Sequence, residues 1–258
     1  MIKNYINVII PIIKICRNWP IVILSKIFNL KIKEIRLKNG VIFVVNGIIP
    51  KADLSMLIET WANHDYTPIG FEICEKDLVI DIGANNGFFS IFATKKAIKG
   101  RVFSFEPVPD LIKKIKNNIE INKLTNIKLE QLAISGKKGP SEFYVSKTHN
   151  GCHSLFQRDG LDEKIIINTI TLEGYCIENN IHKIDFLKLD CEGAEYDIFN
   201  SISESFLRKK IKKISMEYHD VINEHKHEEI VSLLTDNGFK VEVKGGYIYA
   251  LNNNQTHE

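Results

Sequence analysis

Six side chains able to move protons or grip cations stand just beyond short apolar runs of this chain: Asp81, Glu106, Asp190, Glu192, Glu217 and His219. In an open parallel sheet, ligands bind past the carboxyl ends of the strands, so this placement gathers the set on one rim. Strand geometry has a period of two, which puts Glu217 with His219 on one face and Lys188 with Asp190 on one face of another strand. An imidazole among carboxylates suits removal of a proton from a hydroxyl near neutral pH. His219 is therefore the candidate base, oriented by a carboxylate, with Asp190 as the alternative base or a substrate-positioning group. The plainer readings are that Asp190 caps the following helix and that His219 merely ends a strand.

A second constellation precedes these residues. Asp77 to Ser90, DLVIDIGANNGFFS, reads as an apolar strand, a glycine turn and a helix start. Gly83 and Gly87 would let the backbone of Ala84, Asn85 and Asn86 pass close to a ligand, and the helix end offers unpaired N–H groups. The glycines stand four apart, so neither the dinucleotide G-x-G-x-x-G nor a P-loop is present. Asp81 beside the turn disfavours a pyrophosphate and suits a ligand carrying an ammonium and a sulfonium, which is S-adenosylmethionine. Glu106 stands about 20 residues beyond the turn, where a carboxylate accepts from the two hydroxyls of a ribose. Its plainer reading is a surface carboxylate at the start of a helix.

The elements that must position these groups alternate from Asp77 onward, which implies a parallel sheet with helices on both faces. Expected strands cover 78–82, 101–105, 127–134, 183–189 and 213–218, with helices over 88–98, 111–119, from Ala194, and 228–237. Short strands are expected at 141–146 and 165–172, the second followed by a short helix to Asn180, and a final hairpin at 239–243 and 247–251. The segment 149–160 lacks periodicity and reads as a mobile loop near the site. Upstream, two short helices, a hairpin about Asn39-Gly40 and a helix over 53–63 form an N-terminal extension, 1–70, before a catalytic unit, 71–252, and a disordered tail, 253–258, with disorder expected to set in at Asn252. Tyr66, Pro68 and Phe71, between them, are either packing groups or a wall of the pocket.

Composition narrows the partners. The 258 residues carry a net charge of +2 with lysines scattered among isoleucines and asparagines, which argues against a nucleic-acid binder. Five cysteines without C-x-x-C spacing read as thiols of a reducing, cytoplasmic compartment. No apolar run reaches the roughly 20 residues of a membrane span, and no A-x-A-like cleavage site supports a signal peptide. The N-terminal helices, flanked by Lys3, Lys14, Arg17 and Lys26, read as core cover or a contact between copies, with weak association at an anionic membrane surface as the alternative. No metal is required, although Asp190, Glu192 and Glu217 offer hard oxygens that suit magnesium. His225 and His227 do not form H-E-x-x-H and read as solvated residues at a helix start.

With these residues in view, the chain resembles the FkbM family of S-adenosylmethionine-dependent methyltransferases. The resemblance is carried by DLVIDIGANNGFFS at 77–90, FSFEPVPDLIKKIKNNIEIN at 103–122, LAIS in the third strand, Ser154-Leu155, ITLEGY at 170–175, DFLKLDCEGAEYDIF at 185–199 and ISMEYH at 214–219. It implies an α/β class I methyltransferase fold, a Rossmann-like seven-strand sheet whose last strand is inserted antiparallel, and methyl transfer to a hydroxyl of a sugar, glycan or secondary metabolite. By position, Asp81, Gly83, Asn85 and Gly87 would meet the methionine part of the cofactor, Glu106 the ribose and Ala133 the adenine edge. Asp190, Glu192 and Glu195 would form the acceptor side. The chain departs from the usual pattern at Glu173, where aspartate is usual, and at Cys191, where a small aliphatic residue is usual. Two other classes stay open at this point: a silent, cofactor-binding subunit and, less favoured for want of a third glycine, a nicotinamide oxidoreductase.

Overall fold

A computed structural model describes residues 2–145, 154 and 155, 163–220 and 225–255. Its centre is a seven-stranded sheet in which β3 (Leu78–Ile82), β4 (Arg101–Phe105), β5 (Ile127–Glu130), β9 (Ile184–Leu189), β10 (Ile211–Glu217), β11 (Phe239–Lys244) and β12 (Tyr247–Asn252) run in the order β11-β12-β10-β9-β3-β4-β5. β12 lies antiparallel between β10 and β11, and β3, β4, β5, β9 and β10 pair in parallel. This is the class I methyltransferase strand order expected above. Order reverses at β3 and β9, and their carboxyl ends open the crevice where such folds bind ligands.

Strand parity sorts the core into two layers. Ile80, Ile82, Leu187 and Leu189 face one layer, built with helices α6 (Leu172–Glu178), α7 (Glu195–Ser201), α8 (Glu204–Lys210) and α9 (His227–Asp236). Val79 and Phe186 face the other, built on α4 (Phe88–Lys96). That second layer also takes in the N-terminal residues: Ile12 of α1 (Ile2–Ile15), Val22 of α2 (Trp19–Phe28), Phe43 of the hairpin β1 (Ile32–Arg36) and β2 (Ile42–Gly47), and Leu57 of α3 (Lys51–Ile58). The first 70 residues thus bury one face of the sheet instead of standing apart from it. Their attachment is also polar, since Asn122 and Asn118 of α5 (Pro109–Ile121) and its C-cap bond the free edge of β2 at 2.9 Å.

Four expectations are corrected. The third strand does not run to Ile134: it breaks after Glu130, and β6 (Ala133–Ile134) joins β8 (Glu163–Ile170) and β7 (Gly139–Val145) in a separate three-stranded sheet beside the cavity. The helix expected over 53–63 is α-helical only to Ile58 and continues as a π turn, Glu59–Asn63, closed by His64 at φ +60°. Leu172 opens α6 instead of ending a strand, because the Thr171 side chain accepts from Gly174 N and caps the helix. Asn252 is fully buried in β12, and residues 253–255 form a 3-10 turn, so ordered chain runs past the point where disorder was expected. Most of the segment 149–160 lies outside the described residues; Ser154 and Leu155 are described.

Candidate active site

The glycine turn after β3 is anchored before it meets any ligand. Gly83 N and Ala84 N donate to the Phe105 carbonyl at 3.2 and 3.0 Å, and Gly87 N closes the turn on the Ala84 carbonyl at 2.8 Å. Glycine is demanded at position 83 by the protein itself. Its φ is +78°, and a Cβ there would stand 1.9 Å from the Asp190 carbonyl oxygen, so β9 can end against β3 only if the side chain is absent. At Gly87, φ +79°, a Cβ would stand 3.1 Å from Ile115 of α5.

A cavity of about 250 Å³ opens at the carboxyl ends of β3, β4, β9 and β10. Gly83, Asn85, Glu106 and Ala133 line one side of it, and Asp190, Glu192, Glu217 and His219 the other. Ile82, Phe105, Ile134, Phe143 and Leu155 make its apolar surface. Ala52, Ser55, Met56 and Glu59 wall it from α3 and the π turn.

Glu106 is buried and held by backbone on both oxygens: Oε2 accepts from Asn85 N at 2.8 Å and Oε1 from Val108 N at 2.9 Å. Two fixed donors aim the carboxylate while each oxygen keeps a lone pair for the cavity. Burial pushes Glu106 up to about 7, against those two hydrogen bonds.

Asp81 is placed differently from the expectation. It shares the face of Val79, is fully buried beneath α4, and does not line the cavity among the described residues. Its Oδ2 accepts from Ser90 Oγ at 2.5 Å and its Oδ1 lies 3.2 Å from Lys188 Nζ, its register neighbour across β3 and β9. Lys188 is buried too and donates to the Gly83 carbonyl at 2.8 Å. Burial alone would lower the Lys188 ammonium, but Asp81, then Asp190, raise it instead. Asp81 therefore fixes the lysine that fixes the turn. Ala84 is buried within the turn, and Asn86 faces a separate hollow with Asp53 and Lys114.

The loop after β9 explains the D-C-E-G-A-E spacing. Glu192 at φ +56° and Gly193 at φ +104° turn the chain sharply, and Glu195, fully buried in α7, accepts from Cys191 N at 2.9 Å and Gly193 N at 2.7 Å. The same Oε1 lies 3.2 Å from His219 Nδ1. Because a carboxylate accepts, Nδ1 carries the hydrogen and Nε2 is left facing Glu192 at 3.8 Å. Burial alone would lower His219, yet the hydrogen bond and charge of Glu195, with Asp190 and Glu192 behind it, lift it to about 9. Ser154 Oγ donates to the Glu192 carbonyl at 2.8 Å. Cys191 borders the cavity, its thiol held up by burial and by Glu195.

Tyr66 and Glu59 are the side chains that sequence reasoning underweighted. The Tyr66 hydroxyl points at Asp190 Oδ2, 2.9 Å, and Glu217 Oε2, 3.2 Å. One hydrogen serves two carboxylates, and burial with the neighbouring Asp190 pushes Glu217 up to about 7. Burial, then Asp65 and Asp190, push Glu59 up to about 7 as well. A signal existed: with Leu54, Leu57, Ile58 and Trp61 facing the core, Ala52, Ser55, Met56 and Glu59 share the opposite side at helical spacing.

Among the described residues, Asp190, Glu192 and Glu217 do not converge on one cation position; Asp220, His227 and Glu228 do. Asp220 is already engaged there, accepting from Tyr196 OH at 2.6 Å and His227 N at 2.7 Å. His227 is consequently half-buried and stacked on Tyr218, not simply solvated. No helix among the described residues is long and apolar enough to cross a membrane.

The donor set fits a ligand with a cationic end and a diol: among the described residues, five carboxylates and no lysine or arginine line the cavity. Comparison with known proteins agrees. The methyltransferase FkbM domain matches residues 81–241, more than half of the chain. The 31-O-demethyl-FK506 methyltransferase FkbM of Streptomyces tacrolimicus is 25% identical over 74% of this chain and 84% of its own length. The 2-O-methyltransferase NoeI of Sinorhizobium fredii is 25% identical over 55% of this chain and 63% of its own. The hexuronic acid methyltransferase AglP of Haloferax volcanii is 22% identical over 80% and 84%. The chain belongs to the FkbM family of methyltransferases, and its cofactor is S-adenosylmethionine.

Proposed function

We propose that this enzyme methylates a hydroxyl group of a sugar, glycan or secondary metabolite. The observation that carries the reading is the His219–Glu195 pair at the cavity: a buried carboxylate fixes Nδ1 and leaves Nε2 toward the space where an acceptor hydroxyl would sit. Two relatives named for O-methylation, FkbM and NoeI, support the same atom class.

S-adenosylmethionine supplies the electrophilic methyl group. Glu106 would hold its ribose hydroxyls, Ala133 would border the adenine, and Gly83, Asn85 and Asp190 would meet its amino acid end. Asp81, Ala84, Asn86 and Gly87 serve that binding indirectly, by shaping the turn. His219 takes the acceptor proton from the hydroxyl as the methyl group arrives. The carboxylates around it hold the imidazole protonated at neutral pH, with His219 lifted to about 9. A positive charge brought into the cavity would lower its proton affinity by the same Coulomb interaction that raised it, which readies the base.

The test is incorporation of a labelled methyl group from S-adenosylmethionine into sugar, glycan and metabolite extracts, followed by linkage analysis. Label in ether-linked methyl groups, lost in His219→Ala and Glu195→Gln, is the expected result. Label confined to amines or carboxyl esters would overturn the proposal.

A further inference from the structure

The surface made by α1 and α2 points away from the sheet and carries a run of exposed apolar side chains. Val22 and Ser25 turn one side of α2 into the core, while Pro20, Ile21, Leu24, Ile27 and Phe28 share the other side and are exposed. Their spacing, i, i+1, i+4, i+7 and i+8, makes a continuous apolar stripe. Phe28 is 63% exposed and Ile10 of α1 60%. A soluble monomer seldom leaves such a stripe uncovered.

Charge says what covers it. Residues 1–33 contain six basic side chains, Lys3, Lys14, Arg17, Lys26, Lys31 and Lys33, and no acidic one. The other 28 basic and 32 acidic side chains leave the remainder of the chain at −4, so the positive charge is concentrated on the apolar end. We propose that α1 and α2 form a docking surface for an anionic lipid membrane, with α2 lying flat in the interface and the exposed Lys14, Arg17 and Lys31 on the headgroups. Ten residues of α2 reach only about 15 Å, too short to cross. Trp19, at the start of α2, is the residue type that settles at headgroup depth. A second copy is a poorer occupant, because a two-fold interface sets the same patch against itself and would oppose six positive charges to six. Docking bears on the site through structure already described: α1 packs against α3 and the π turn, which wall the cavity.

The experiment is flotation of the full chain with vesicles of phosphatidylcholine containing about a quarter phosphatidylglycerol, against phosphatidylcholine alone. The wild type should float at least about tenfold better with the anionic vesicles and lose this in high salt. Lys14→Glu/Arg17→Glu/Lys26→Glu and, separately, Ile21→Asn/Leu24→Asn/Phe28→Asn should each abolish flotation while calorimetric binding of S-adenosylhomocysteine is kept. If the apolar variant misfolds, the charge variant still decides. Equal flotation with both vesicles, none with either, or a dimer in light scattering that Leu24→Asn converts to monomer would overturn the proposal.

Discussion

Glu195 shows how much one side chain can settle. Its two oxygens satisfy the amides that follow Asp190 and still meet His219, so the loop and the base are set by one buried carboxylate. Glu195→Gln keeps the size but replaces an acceptor by a donor, and His219 loses the charge that lifts it. We expect methyl transfer to fall by about 10²- to 10⁴-fold in His219→Ala and Glu195→Gln, with affinity for S-adenosylhomocysteine little changed; a parallel loss of affinity would argue against a base role. Glu106 differs, since it faces the ligand. Glu106→Ala should weaken S-adenosylhomocysteine by about 10- to 150-fold in calorimetry, the worth of hydrogen bonds to a charged group. Lys188→Met leaves Asp81 buried without its counter-charge and should cost about 3–5 kcal/mol in denaturant unfolding, part of which Asp81→Asn restores.

The elements meet so closely that a methyl group matters. A Cβ at Gly83 would collide with the Asp190 carbonyl, backbone against backbone, where neither strand can retreat. At Gly70, φ is +90° but nothing lies within 4 Å. Gly83→Ala is therefore expected to lose about 3 kcal/mol or more and most of the transfer activity, whereas Gly70→Ala loses about 1 kcal/mol from backbone strain alone. Thermal unfolding and initial rates compare the two. The π turn at Glu59–Asn63 works at the same scale: an extra residue in the helical turn carries the chain from the Glu59 wall to Tyr66 beneath the carboxylates.

Across the whole molecule, the buried acidic cluster links fold stability to pH. The folded value of His219, about 9, lies above its ordinary 6.5, so its contribution is full below about 6.5 and is lost as pH rises through 9. Glu106 and Glu217, near 7 in the fold against 4.5, likewise favour the fold most when protonated and lose that contribution as pH rises through 7. Both act in one direction. Unfolding free energy should decline from about pH 4.5 to 9, by about 3 kcal/mol from His219 alone above pH 6.5, and His219→Asn should flatten the upper half of that curve. A stability maximum on the alkaline side would contradict the placement of these groups.

The carboxylates at four strand ends and the glycine turn were legible in the sequence, because strand and helix periods fix which residues reach the rim and the D-x-E-G-x-E spacing needs only local geometry; the seven-strand arrangement came only through the family resemblance. The break after Glu130 was not legible, since a short apolar run reads alike whether it stays in one sheet or crosses to another. Nor could the chain alone show that Asp81 lies under the floor: its face follows from parity, but its partner, Lys188, sits across a strand contact 107 residues away. The wall of Ser55, Met56 and Glu59 and the Tyr66 bridge likewise exist only once the N-terminal layer is pressed on the sheet. Local periodicity decided which side chains could act; long-range packing decided which of them share a cavity and which hold it in shape.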